Sequence, residues 1–291
     1  MVRSMGTRIR MADDSDGKGQ QMTRPMEEGD GAELPFLFSE HNGVLEVTLN
    51  RPERLNAFDA DMRSQLKDLW ISRQDDPALR CVIITGSGRA FSAGADVGDM
   101  AAGEYAEGAS YAAGLDFLPG EFLSVPVIAA VNGLCAGGGL HFVADADLVL
   151  AADTAWFNDP HVSVGQVSGL EPVTLLGRVG WSEIARLVLL GRELRIHAAE
   201  ALRIGLVNEV VVPEQLMERA REMARTIAAQ SPEAVRRSLG ILRRARRSAV
   251  EADLQSAWSE ILEHRKHPDA TEGSLAFAER RQPRWTVNDK L

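Results

Sequence analysis

Cysteine is scarce in this chain and long apolar runs are missing. Two cysteines, Cys81 and Cys135, stand among 291 residues. Each lies inside an apolar stretch (CVIIT and VNGLC), which reads as a small core residue and argues against a disulfide. No window of about 18 apolar residues occurs, so a transmembrane helix is not supported. No charged-then-apolar leader opens the sequence, so a signal peptide is not supported either, and a cytoplasmic protein with no membrane partner is expected. Positive charge is also in deficit. Lys and Arg number 32 against 42 Asp and Glu, a net charge of −10, with a pI near 5.2. That surface argues against nucleic acid or an anionic membrane as general partner. Metal-ligand spacings are missing as well, since the six histidines form no HExxH and the two cysteines no CxxC. No GxGxxG or GxxxxGK[ST] phosphate loop occurs.

What is present suffices for a core. Hydrophobic residues make up 45% and charged residues 25%, and one large domain is the expectation at this length. Residues 1–34, rich in Gly, Asp, Glu and Met without periodicity, read as a disordered tail. Beyond them short strands alternate with helical stretches. Leu45, Val47 and Leu49 recur at period two, while Val82–Thr85 and Pro126–Val131 are continuous apolar runs of the kind found in buried strands. Asp147–Ala151 and Leu206–Val212 complete the strands, the last after a helix that Gly205 ends. The pattern is α/β over residues 35–212. From Pro213 to Leu291 it turns helical: Leu216, Ala220, Met223 and Ile227 share a face, Ser231-Pro232 is a helix start, and Leu254, Trp258, Ile261 and Leu262 form a second stripe. That stripe offers more apolar surface than one core edge needs and predicts an oligomer. The basic run at 236–247 reads as the solvated face of one helix, with a neighbour to phosphates as the alternative.

Two glycine-bearing segments each follow a predicted buried strand: Phe91-Ser92-Ala93-Gly94-Ala95-Asp96, and Asn132 through Gly139. Small residues let a backbone approach a ligand closely, and a helix starting within Gly137–Gly139 would aim unpaired N–H groups outward. Two such groups converging make an oxyanion hole; alternatively both segments are tight strand-to-helix turns.

Together these segments resemble the enoyl-CoA hydratase/isomerase (crotonase) family. The resemblance runs through LNRPERLNAF (49–58), VIITGSGRAFSAGADVGDM (82–100), VPVIAAVNGLCAGGGL (125–140), ADADLVLAADTAWFNDP (144–160), GLVNEVV (205–211) and AFAERRQPRW (276–285). It implies a spiral of ββα units with a helical C-terminal oligomerisation region over 213–291. It also implies a homotrimer or dimer of trimers, and an acyl-CoA thioester as substrate with no prosthetic group and no metal. The family's two oxyanion-hole amides fall on Ala95 and Gly138. Its CoA contacts fall on Ala93, Ala95, Asp96 and Val97, and on Arg280 and Arg281 reaching from a neighbouring subunit. A lysine common two residues after the aspartate of AGAD is Gly98 here.

The departure comes at the acid/base positions. Hydratases of this family carry one glutamate three residues after the middle glycine of the triplet and another 20 residues on; this chain has His141 and His161 there. Imidazole titrates near ~6.5, so either ring could relay a proton at neutral pH, with an acidic limb expected near ~6–7. Glu171 and Asp159 are the candidate partners for the rings, Asp159 being equally readable as a turn residue before Pro160, and Asp145 and Asp147 read as structural. Hydration or isomerisation of a 2-enoyl-CoA is the expected reaction. Thioester or β-diketone hydrolysis with C–C cleavage, and a silent acyl-CoA-binding scaffold, remain as alternatives.

Overall fold

The computed structural model describes residues 34–95 and 110–286. A hairpin, β1 (Phe36–His41) and β2 (Val44–Leu49), opens the chain, with α1 (Ala60–Arg73) after it. Three strand pairs follow: β3 (Cys81–Gly86) with β4 (Ala90–Ser92), β5 (Val127–Val131) with β6 (Leu134–Ala136), and β7 (Leu148–Ala152) with β8 (Trp156–Asn158). Within each pair the first strand joins a six-stranded sheet, β1-β2-β3-β5-β7-β10, and the second a four-stranded one, β4-β6-β8-β9, where β9 is Ile196–His197 and β10 is Glu209–Val211. The chain therefore steps from large sheet to small sheet to helix and repeats, a ββα spiral. The helices that close these steps are α2 (Ala112–Leu115), α3 (Leu140–Asp145) and α4 (Leu170–Leu175).

Continuous apolar sequence explains the centre. Every residue from Val127 to Val131 is fully buried, and parallel neighbours β3 and β7 flank it, as expected of strands covered on both faces. Helix α5 (Trp181–Leu190) leads to β9 (Ile196–His197), α6 (Ala198–Arg203) and β10 (Glu209–Val211). Gly205, at φ 84°, follows α6 as anticipated, but β10 is shorter than its apolar sequence suggests: Leu206 and Val207 are buried outside any strand.

Three helices complete the described fold: α7 (Leu216–Ala228), α8 (Pro232–His264) and α9 (Pro268–Ala278). Ser231 caps α8, its hydroxyl accepting from Ala234 N, with Pro232 at the first position. Two expectations change here. Leu254 and Trp258 are 4% and 3% exposed, packed into this chain's own core with Ile261 and Leu262 against it, so the stripe is spent within the subunit. The basic run is solvated at Arg237, Arg244 and Arg247 but turns inward at two positions. Arg243 grips Asp147 and the carbonyls of Leu123 and Val125, and Arg246 donates to the carbonyls of Ala144 and Asp145. The Arg246 bonds fasten α8 to the C-terminal end of α3, where carbonyls lack helical partners and favour cations.

Candidate active site

The LNRPERLNAF segment works as a brace. Leu55 and Asn56 adopt left-handed φ of 55° and 56°, which turns the Asn56 side chain inward. Its amide donates to the carbonyls of Ser87 and Ala90, and its oxygen accepts from Arg51 N. Phe58 N donates to Gly94 O, Ala93 N to Leu55 O, and Ser92 Oγ to Asn56 O. The Ala93-Gly94-Ala95 backbone is thereby pinned from one side.

Across from it, β6 ends in a turn at Gly137–Gly139 that starts α3. Gly94 sits at φ 94°, and a Cβ there would lie 2.7 Å from Gly138 N; a Cβ on Gly138 would meet Phe58 Cζ at 2.9 Å and Ala95 N at 3.2 Å. Only glycine permits this approach of two backbones. The backbones at Ala95 and Gly138 therefore come close together and line one cavity, with Gly138 in the first helical turn, where an N–H has no partner four residues back.

The histidines meet on a carboxylate. His141, two residues into α3, donates from Nε2 to Glu171 Oε1 at 3.0 Å. His161, in a short 3-10 turn after β8, places its Nε2 3.7 Å from the same oxygen and its Nδ1 2.6 Å from Asp159 Oδ1. Asp159 is 1% exposed and also accepts from Ser168 Oγ, while Phe117 stands edge-on to the His141 ring. A cavity of about 480 Å³ is lined by Phe117, His141, His161 and Glu171 together with Ala93, Ala95, Gly137 and Gly138, and by Trp258 and Ile261 of α8 and Arg265 just beyond it.

The family model for enoyl-CoA hydratase/isomerase matches residues 39–288. The chain belongs to the enoyl-CoA hydratase/isomerase family. Family members act on CoA thioesters without a prosthetic group, and no metal-binding cluster occurs among the described residues. A carnitinyl-CoA dehydratase of Salmonella arizonae is 40% identical over 258 residues, 83% of this chain and 94% of that protein. Two crystal structures resemble the fold at a TM-score of 0.78. One is a carnitinyl-CoA hydratase from Mycobacterium avium, 32% identical, covering 88% of this chain and 100% of its own. The other is an enoyl-CoA hydratase/isomerase from Pseudoalteromonas atlantica, 29% identical, covering 87% and 100%.

The ionisable side chains of the cavity form a His–Glu–His row, His141 and His161 flanking Glu171. Burial by itself would lower the His161 pKa, but the Glu171 and Asp159 carboxylates outweigh it and push it up to about 9. The two histidines hold the Glu171 carboxyl well below the usual carboxylate range against its own desolvation. At neutral pH His161 is an imidazolium beside an ionised Glu171, so the limb near 6–7 expected of a free imidazole does not apply to it.

The structure thus brings together Ala93, Ala95, Gly138, His141, His161 and Glu171. Asp96, Val97 and Gly98 lie outside the described residues. Arg280 and Arg281 stand away from the chain's own cavity, and Arg281 is committed to Glu272 and Glu279. Arg54, Arg63 and Arg265 line the cavity instead. Sequence reasoning passed over Asn56 and Ser168. The first had a visible signal, being an asparagine, a residue tolerant of left-handed φ, in a motif that carries the family resemblance; the second had none, because its role depends on a fold-made contact with Asp159.

Proposed function

We propose that this chain reversibly adds water to a 2-enoyl-CoA, the chemistry also named in its carnitinyl-CoA dehydratase relatives. The single observation that carries the reading is the opposed proton inventory around one cavity: a carboxylate held ionised and an imidazolium held charged, 3.7 Å apart, beside the close backbones of Ala95 and Gly138. The thioester oxygen sits between the amides of Ala95 and Gly138, which take up the negative charge as the enolate forms, each donor worth about 3–4 kcal/mol in comparable sites. Glu171 accepts a proton from water, the hydroxide oxygen bonds to Cβ, and His161 Nε2–H delivers a proton to Cα. Transfer of the proton from Glu171 to His161 resets the pair. His141 holds Glu171 by its Nε2–H, and Asp159 keeps the second His161 proton on Nδ1.

The subunit assembles as a trimer or dimer of trimers in this proposal. Trp181 and Leu189 on α5, 74% and 75% exposed, supply the unburied apolar surface that the 254–262 stripe does not. Light scattering at micromolar concentration tests it, and a mass near 31.7 kDa rejects it. The reaction is tested with Glu171→Gln and His161→Ala against crotonyl-CoA. Both should lose at least a hundredfold in kcat while still binding CoA thioesters. Unchanged turnover in both variants rejects the assignment, and no turnover by the wild type on any enoyl-CoA favours a binding scaffold.

A further inference from the structure

A second cavity, of about 290 Å³, abuts the first at His141, which lines both. It runs along α3 from His141 past Ala144 to Asp145, a rise of about 6 Å or roughly the span of four to five methylene groups. Its near walls are apolar or aromatic, with Leu115, Leu118, Val250 and Leu254 from two helical layers. Its far end is cationic: Arg243, Arg244, Arg246 and Arg247 of α8 all reach it, against two lining carboxylates.

Those carboxylates are already engaged. Gly120 N donates to Asp145 Oδ2 and Arg247 pairs with Glu121, while Arg243 is matched by Asp147. Glu251 is held by the Tyr111 hydroxyl. Arg246 is bonded only to neutral carbonyl oxygens, at 3.2 and 3.4 Å, and among the described residues neither it nor Arg244 forms an ion pair with a carboxylate. The repulsion is felt nearby. Burial and the Arg246 charge both lower the pKa of Arg178, itself donating to Ala146 O. The Asp145 carboxylate acts on both Arg243 and Arg246, so among the described residues Arg244 is the guanidinium at this end of the cavity with no carboxylate set against it.

We infer that the second cavity receives the distal end of the acyl group and selects acyl-CoA thioesters whose chain ends in a carboxylate about four to five methylenes beyond Cβ. This rests on the acyl-CoA reading of the first cavity. Guanidinium forks suit a carboxylate and repel a quaternary ammonium, so the acyl group named in the carnitinyl-CoA relatives is disfavoured here.

Calorimetric titration with saturated thioesters separates binding from catalysis. Suberoyl-CoA should bind at least tenfold more tightly than octanoyl-CoA, and carnitinyl-CoA more weakly than either. Arg244→Gln, a change at an exposed position that should fold, should bring the first ratio toward parity, and Arg246→Lys should reduce it while keeping a charge at the helix end. Equal affinities for suberoyl- and octanoyl-CoA, or an unchanged ratio in Arg244→Gln, overturn the assignment of the second cavity alone. Failure of all these thioesters to bind overturns the acyl-CoA reading of the site and this inference with it. Free suberate binding as tightly as suberoyl-CoA also overturns it, since the cavity would then be a separate anion site.

Discussion

Replacing Asp159 by Asn removes one charge and almost no volume from the row that holds His161. Asp159 Oδ1 stands 2.6 Å from His161 Nδ1 and is fully buried, so solvent does little to screen it. A hydrogen bond to a charged group contributes about 1.5–3 kcal/mol and a neutral one about 0.5–1.5, so the imidazolium loses roughly 1–2 kcal/mol of preference. At about 1.4 kcal/mol per unit, that lowers its pKa by about one. The wild-type kcat/KM for hydration should hold up across neutral pH and fall on the alkaline side near 9, where His161 loses its proton. In Asp159→Asn the fall should come near ~8, with a modest loss at pH 7 and a five- to tenfold loss at pH 9. Titration of the His161 ring by NMR should move in step. An alkaline limb that stays in place, or a loss equal at every pH, refutes the role given to Asp159.

Other outcomes follow from the same contacts. Gly138→Ala puts a methyl 2.9 Å from Phe58 Cζ and 3.2 Å from Ala95 N, and should cost about 10²–10³ in kcat with a small change in melting temperature. Stability should depend on pH in a definite sense. His161 has its pKa raised by folding, so its stabilisation is complete below the unfolded value near ~6.5 and lost as pH rises through about 9. Melting scans from pH 6.5 to 9.5 should show that loss, and His161→Gln should flatten it. Arg243→Met strands Asp147 in a mostly buried place and should cost about 3 kcal/mol, read as a lowered urea midpoint with kcat nearly intact.

The fold was legible where the sequence repeats one physical signal. Continuous apolar runs at 82–85 and 126–131 became the sheet centre, and Ser231-Pro232 became a helix start. The three-residue strands β4, β6 and β8 have no length in which a period can show, and they emerge only from pairing with one another. Within the site, His141 and His161 stood out because they occupy spaced positions where carboxylates are usual. Their state did not, because it depends on Glu171 lying between them and Asp159 behind, which only packing determines. The stripe at 254–262 was visible as apolar, but a period says that a face is buried and not against what; here it covers the chain's own cavity. Arg243 and Arg246 departed from the solvated reading that Arg244 and Arg247 keep, since charge in a sequence reads as solvated until carbonyl ends are placed under it.

Mass spectrometry of the wild-type reaction with crotonyl-CoA in water enriched in oxygen-18 tests the central claim most directly. The account predicts a product heavier by one molecule of labelled water, with the thioester intact and the label on the acyl chain, and none of it in Glu171→Gln over the same interval. Free CoA with a labelled carboxylic acid, a shortened acyl chain, or full conversion by Glu171→Gln would contradict it.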